Sequence, residues 1–262
     1  ESIAGLRTPD SGRIQVFGFD PIQDRDQVRR VLGVQLQESR FQDRIKVREV
    51  VETFAALYPD PVDVSNLLER LGLSDKAGTR YSQLSGGQQQ RLSIAVALVG
   101  RPRAAILDEL TTGLDPGARR ETWGLVEELR DGGVTVLLVT HFMEEAEYLA
   151  DRLALIDQGR LVALDTPQGL KDSVGLEQRI RFTASESIDW EGLKTLPEVT
   201  GVSRSNGEIV VTGNERLQFS VVSALTDQGI APDRFQVDQT TLDDAFVAIT
   251  GRRLATADEE AA

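Results

Sequence analysis

The chain has 262 residues, 40% of them hydrophobic and 27% charged, which is the composition of an ordinary globular protein. Asp and Glu number 42 against 29 Lys and Arg, and the net charge of −13 argues against broad electrostatic binding to nucleic acid or to an anionic membrane surface. The sequence contains no cysteine, which excludes disulfides, a thiol nucleophile and a thiolate metal site. Its longest apolar runs fall far short of the roughly 18 residues that cross a bilayer, so a membrane role requires a partner that spans the membrane.

The beginning of the chain is predicted to combine short strands with amphipathic helices. The predicted elements are a strand at 13–17, a helix at 24–32, a buried strand at 33–36, and helices at 47–58 and 64–71. Apolar residues recur on one helical face within 47–58, and Pro59 stops that helix.

The middle of the chain alternates strands and helices. The predicted elements are a strand at 103–109, a helix at 116–130, a strand at 134–139, a helix at 142–150 and a hairpin of strands at 152–156 and 160–164. Residues 134–139 are continuously apolar and rich in β-branched side chains, which predicts a central strand of a parallel sheet covered on both faces. The alternation as a whole predicts an α/β layer fold.

Beyond Pro167 the predicted order changes to strand, helix, strand, strand, helix, strand, followed by a final helix at 241–249. This order predicts a small split-βαβ sandwich capped by a helix. We therefore expect a first domain at 1–170 with a helical subdomain at about 38–100, an accessory α+β domain at 171–254, and a disordered acidic tail at 255–262.

A glycine-rich stretch at 84–91, with the sequence Leu-Ser-Gly-Gly-Gln-Gln-Gln-Arg, precedes an apolar helical run. A loop that opens onto a helix N-terminus presents unpaired backbone N–H groups and the positive end of the helix dipole, which together suit a phosphate. The alternative is structural, with Ser85 as an N-cap and the two glycines making a turn.

Two carboxylates, Asp108 and Glu109, end the apolar strand predicted at 103–109. Ligands of open α/β sheets bind at the carboxyl ends of strands, and Asp108 together with nucleotide phosphates would suit Mg²⁺. Glu109 would then be free to orient and deprotonate a water. The alternative is that both residues are exposed members of a strand-to-loop turn.

His141 is the only histidine, and it follows the strand predicted at 134–139 at the same level as Asp108. A neutral imidazole there could donate to a phosphate oxygen or hold a water, although a lone histidine is also a common structural residue. By itself Gln37 is an ordinary loop glutamine, and Asp115 with Pro116 could be only a helix N-cap.

Taken together, these elements resemble the ATP-binding subunits of ABC transporters over about residues 1–170. In chain order the elements are Gln37, Ser85-Gly86-Gly87-Gln88, Asp108-Glu109, Asp115 and His141. The resemblance makes them the Q-loop glutamine, the family signature, the Walker B pair, the D-loop aspartate and the switch histidine. It implies ATP and Mg²⁺ as ligands, with Gln37 and Asp108 at the metal. The segment 241–246 looks like part of the accessory domain of drug-exporter ATPases of the daunorubicin-resistance type.

The resemblance also implies partners. Two ATPase subunits, identical or different, would pack head to tail, so that Ser85 and the Gly87 N–H address the γ-phosphate of the other subunit's nucleotide. Glu109 would activate water, and His141 with Gln37 would sense the γ-phosphate. A separate integral membrane permease would carry the substrate, which puts the protein in the cytoplasm, peripheral on the inner face of the membrane. No nucleic-acid partner is expected.

Two features depart from the family pattern. Leu110 stands where the family usually has proline, and no G-x-x-x-x-G-K-[ST] sequence occurs in the chain. We expect an α/β P-loop NTPase core of the ABC type that lacks its N-terminal strand and P-loop, truncated just before residue 1 and inactive alone. The alternatives are a non-hydrolysing regulatory or interaction module, and a soluble ABC ATPase acting on ribosomes or DNA.

Overall fold

The computed structural model describes residues 1–36, 40–175, 177–183, 188–205, 208–214, 216–238 and 240–251. The chain divides into two compact units, Glu1–Leu149 and Ala150–Ala262. This division falls earlier than the boundary predicted at residue 170, because the hairpin predicted at 152–164 packs with helices of the second unit. The tail predicted at 255–262 lies outside the described residues.

A parallel sheet forms the centre of the first unit. Its strands are β1 (Leu32–Gln35), β2 (Ala104–Asp108) and β3 (Thr135–Val139), in the order β1-β2-β3. Gln35 pairs with Leu107 and Asp108 pairs with Val139. The carboxyl ends of the three strands therefore lie along one edge of the sheet.

The prediction that the run at 134–139 is a central strand covered on both faces is wrong for the described sheet. There β2 is the central strand, and β3 pairs with β2 alone. Side chains along β3 alternate in exposure, and Leu137 and Val139 are 45% and 46% exposed. An apolar run indicates a strand, but the place of that strand in the sheet depends on which other strands pair with it.

Helices surround this sheet. They are α1 (Arg25–Val31), α2 (Val47–Ala55), α3 (Val64–Arg70), α4 (Gly86–Leu98), α5 (Pro116–Asp131) and α6 (Met143–Leu149). Apolar side chains of α2, α3 and α4 pack with those of β2 and α5 in one buried cluster, because each helix turns one apolar face inward. Between residues 47 and 98 the regular elements are all helices.

The strand predicted at 13–17 does not form. Val16 pairs with Phe19 in an isolated bridge, and the two residues between them adopt positive φ, 50° at Phe17 and 91° at Gly18. The apolar residues of this segment therefore lie in a tight turn rather than in a strand.

The second unit contains a hairpin of β4 (Leu153–Asp157) and β5 (Arg160–Asp165), then α7 (Pro167–Ser173). An antiparallel sheet follows, with β6 (Gln178–Thr183), β7 (Val199–Ser205), β8 (Glu208–Gly213) and β9 (Asp233–Asp238) in the order β7-β8-β6-β9. The helices α8 (Trp190–Lys194) and α9 (Leu217–Asp227) complete the predicted β-α-β-β-α-β order, and α10 (Leu242–Thr250) packs on α7 and β5. No helix in the described part of the chain is long and apolar enough to cross a membrane.

Candidate functional site

Asp108 is the last residue of the central strand, and a buried side chain of the neighbouring strand holds its backbone. The Asp108 N–H donates a hydrogen bond of 2.9 Å to Gln35 Oε1. Gln35 is only 2% exposed, and its Nε2 donates to the Leu36 carbonyl at 2.8 Å. Gln35 therefore joins the ends of β1 and β2. Sequence reasoning missed this residue, although a glutamine at the end of an apolar strand was a usable signal.

Glu109 turns sharply out of the strand. Its φ of 48° is left-handed, and its N–H donates to the Val139 carbonyl at 2.8 Å. Such a conformation costs about 1 kcal/mol or more in a residue other than glycine, and it recurs at functional sites. The turn brings Glu109 Oε1 within 3.5 Å of His141 Nδ1, with both side chains partly exposed. The structure thus brings together the two residues predicted to be catalytic.

Ser85 caps a helix. The Gln88 N–H donates to Ser85 Oγ at 3.3 Å, and the Ser85 N–H donates to Gln88 Oε1 at 3.0 Å, which is a capping box. Helix α4 therefore begins at Gly86, and the predicted loop at 84–91 ends at Ser85. Gly86 and Gly87 lie in the first helical turn, where backbone N–H groups have no acceptor within the helix. The N-cap of the structural alternative is present, but the two glycines belong to the helix and do not make a turn, and their N–H groups are suited to an anion.

Asp115 caps the next helix. Its Oδ1 accepts hydrogen bonds from the N–H groups of Gly117 and Ala118 at 2.9 and 3.1 Å, and Pro116 is the first residue of α5. The predicted N-cap is therefore confirmed. A Cβ atom added to Gly87 would lie 3.5 Å from the Ala118 Cβ, so the first turns of α4 and α5 are in contact.

A second contact joins the same two helices further along. Arg91 on α4 forms an ion pair with Glu121 on α5. The predicted residues thus form two groups, one at the strand ends and one at the starts of α4 and α5. Gln37, predicted for both the nucleotide and the metal, lies outside the described residues.

The donor set at the strand ends fits Mg²⁺ bound with a nucleotide better than a metal held by protein alone. Among the described residues no group of three or more His, Asp or Glu side chains could hold a metal ion. Mg²⁺ usually takes one or two carboxylates and completes its shell with phosphates and water. Asp108 offers such a carboxylate, and the first turn of α4 offers N–H groups to a phosphate.

Comparisons with known proteins show the family of this chain. The sequence profile of the family described as ABC transporter matches residues 1–112. The chain is 34% identical over 258 residues to the daunorubicin resistance ATP-binding protein DrrA3 of Streptomyces coeruleorubidus, covering 95% of this chain and 81% of that protein. It is 34% identical over 259 residues to the Nod factor export ATP-binding protein I of Burkholderia thailandensis, covering 96% and 83%.

A solved structure has the same fold over part of the chain. CbiO1 from Clostridium perfringens, described as part of the ABC transporter complex cbiONQ, matches with a TM-score of 0.57 and 26% identity over 66% of this chain and 74% of that chain. The fold is therefore the mixed α/β fold of ABC-type ATPases. The chain belongs to the family of ABC transporter ATP-binding proteins. Within that family its relatives include ATP-binding proteins of drug resistance and of Nod factor export.

Proposed function

We propose that this chain is an ATP-hydrolysing subunit that powers export of a drug-like or lipid-like compound through a separate membrane permease. The export role is supported by relatives whose names refer to daunorubicin resistance and Nod factor export. The hydrolytic role is supported by the pairing of Glu109 with His141 at the carboxyl edge of the parallel sheet.

Each residue at the strand ends has one part in the proposed reaction. Asp108, together with Gln37, would hold Mg²⁺, which would supply positive charge to the phosphate oxygens. The Glu109 carboxylate accepts the proton of the attacking water, because its left-handed turn directs it away from the strand. His141 holds the Glu109 side chain through Nδ1, and a ring with both nitrogens protonated would also donate to a phosphate oxygen from Nε2.

The start of α4 suits a nucleotide held by a second ATPase subunit, identical or different. Ser85 Oγ accepts from the Gln88 N–H, which leaves the hydroxyl hydrogen free to donate to a phosphate oxygen. The N–H groups of Gly86 and Gly87 and the positive end of the α4 dipole add to the attraction. With the Asp115 cap beside them, these groups form the surface that the second subunit would contact, and the assembly would lie at the inner face of the membrane.

The test is ATP hydrolysis by the chain in complex with its partner ATPase and permease subunits, wild type against Glu109→Gln. Loss of a general base lowers turnover by about 100-fold or more, and the amide should leave ATP-dependent dimerisation intact. Glu144→Gln is the matched control, because it removes the same charge from an exposed position three residues after His141.

Four outcomes separate the alternatives. Loss of turnover in Glu109→Gln alone supports the proposal, and full turnover in that variant contradicts the role of Glu109. A wild-type complex that binds ATP without hydrolysing it favours the non-hydrolysing module. Hydrolysis stimulated by ribosomes or DNA instead of by the permease favours the soluble ABC ATPase.

A further inference from the structure

The contact between α5 and α6 contains a buried carboxylate that the proposed reaction does not use. Glu145 on α6 is completely buried, and its Oε1 accepts a hydrogen bond of 3.0 Å from the indole N–H of Trp123 on α5. Its other oxygen, Oε2, has no hydrogen-bond partner among the described residues. A buried carboxylate with one unpaired oxygen lowers the stability of the fold, so stabilisation does not account for a glutamate at this position.

The same two helices touch at three successive levels. The Arg119 guanidinium lies 4.5 Å from the centre of the Phe142 ring. One turn further along α5, the Trp123 ring stacks on Tyr148 at 5.0 Å. After another turn, Tyr148 donates a hydrogen bond of 3.4 Å to Glu127. Residues 119, 123 and 127 share one face of α5, which contacts Phe142 just before α6 and Tyr148 near its end.

Helix α6 begins two residues after His141, and α5 begins at the Asp115 cap. The Phe142 ring, which contacts Arg119 of α5, also lies 4.1 Å from the His141 ring. Any rotation or sliding of α6 along α5 therefore moves His141 with respect to Glu109, which is on the loop between β2 and α5. The bond between Glu145 and Trp123 is the only one of these contacts that is both buried and directional among the residues described.

We propose that Glu145 and Trp123 are positioning residues that fix α6 on α5 and thereby hold the His141 imidazole against Glu109. This inference rests on the proposed catalytic role of Glu109 and His141. It explains why a buried carboxylate with one unpaired oxygen is present: an apolar pair of similar size would pack well but would fix neither the rotation nor the register of α6.

The test uses His141 as a spectroscopic probe. Because it is the only histidine in the sequence, the ring of a ¹³C,¹⁵N-histidine-labelled chain gives a single set of resonances. In the neutral ring the hydrogen should be on Nδ1, the atom that faces Glu109. The double variant Glu145→Met/Trp123→Phe removes both polar partners and retains the apolar volume. We expect it to remain folded while the tautomer moves from Nδ1–H towards Nε2–H.

Three further variants separate positioning from packing. Glu145→Gln retains an oxygen for the indole and should preserve the wild-type tautomer. Glu144→Gln, an exposed charge removal nearer to His141 in sequence, should also leave it unchanged. Trp123→Phe alone should reproduce the shift, and it decides the question if the double variant fails to fold. If the double variant or Trp123→Phe remains folded and its His141 ring shows the wild-type tautomer, the inference is overturned.

Hydrolysis by the assembled transporter gives a second readout. For Glu145→Met we expect kcat to fall about tenfold while KM for ATP changes by less than about twofold, since the nucleotide contacts are untouched. If the wild-type complex does not hydrolyse ATP, the proposed function fails, but the His141 spectrum still decides the positioning role. If hydrolysis is present and the spectrum does not change, the positioning role alone is wrong.

Discussion

The two units of the chain use their polar side chains differently. In the first unit the parallel strands end along one edge, where the partly exposed side chains of Asp108, Glu109 and His141 lie. In the second unit the sheet is antiparallel, so strand ends are shared between two edges. One pair of charges lies within the sheet: Arg181 lies 2.8 Å from Asp238, whose hydrogen bond and charge raise the pKa of Arg181.

The difference between the two sheets predicts where substitutions change ATP turnover and where they change stability. A parallel sheet concentrates loops that carry reactive groups at one edge, whereas the described antiparallel sheet pairs Arg181 with Asp238 and buries Ile180, Phe182 and Val211 on one face. We therefore expect substitutions at the strand ends of the first unit to change turnover, and substitutions in the second unit to change its stability. The three experiments below test this expectation.

The largest effect is expected from Phe182→Ala in the core of the second unit. Phe182 is completely buried and its ring lies 5.9 Å from the Phe235 ring, so truncation leaves a cavity that costs about 3–5 kcal/mol. Each unit has one of the two tryptophans, Trp123 in the first and Trp190 in the second, so single-tryptophan variants report on each unit separately. Urea unfolding should show an earlier transition for Trp190 and an unchanged one for Trp123.

Phe219→Ala is the matched control for that experiment. Phe219 lies on α9 of the same unit but is 76% exposed, so its truncation should leave both transitions within about 0.5 kcal/mol of the wild type. Equal shifts of the two tryptophan signals in Phe182→Ala would show that the units unfold together. This result would contradict the expectation that substitutions in the second unit change the stability of that unit alone.

A smaller and more selective effect is expected from two helix caps. Asp115→Ala removes the acceptor of the Gly117 and Ala118 N–H groups. Thr241→Ala removes the acceptor of the Asp244 N–H, which donates to Thr241 Oγ1 at 3.1 Å. Each change should lower stability by about 1 kcal/mol in urea unfolding. Only Asp115→Ala should lower ATP turnover, because only its helix starts beside the first turn of α4. Equal loss of turnover in Thr241→Ala would contradict the contrast.

Local patterns in the sequence were sufficient for much of this fold. Apolar periodicity predicted most of the strand and helix order, including the split-βαβ order of β6 to β9, but it also predicted a strand at 13–17 that does not form and did not predict α7. The caps at Ser85 and Asp115 were also predictable, because an N-cap depends on residues that follow it within one helical turn. The position of Asp108 at a strand end followed from its place after an apolar run.

Contacts between distant parts of the chain could not be predicted in the same way. The hydrogen bond from the Asp108 N–H to Gln35 joins residues 73 positions apart, and that from Trp123 to Glu145 joins residues 22 apart. The edge position of β3 depends on which strands pair, and the left-handed turn at Glu109 depends on its bond to β3. Each of these features requires the assembled sheet, and a sequence pattern describes only neighbours along the chain.

The smallest effect is expected at Asp20, a loop residue of the first unit away from the three strands. Asp20 Oδ1 accepts hydrogen bonds from the N–H groups of Ile22 and Gln23 at 2.8 and 3.1 Å, and these bonds lower the pKa of its carboxyl below the ordinary 3.8. Because the pKa of the folded state is below that of the unfolded state, the carboxylate stabilises the fold fully above pH 3.8, and this contribution is lost as the pH falls through the lower value.

Asp20→Asn retains an oxygen acceptor but cannot titrate. The free energy of unfolding of the variant should therefore lack the fall at acidic pH that Asp20 causes in the wild type. Urea unfolding from about pH 6 to about pH 3 should show the wild type losing its advantage over the variant as the solution becomes more acidic. Asp10→Asn removes the same charge from another exposed position near the N-terminus and serves as the control. ATP turnover at neutral pH should match the wild type in both variants. A loss of turnover in Asp20→Asn would mean that reactive polar groups of the first unit extend beyond its strand ends.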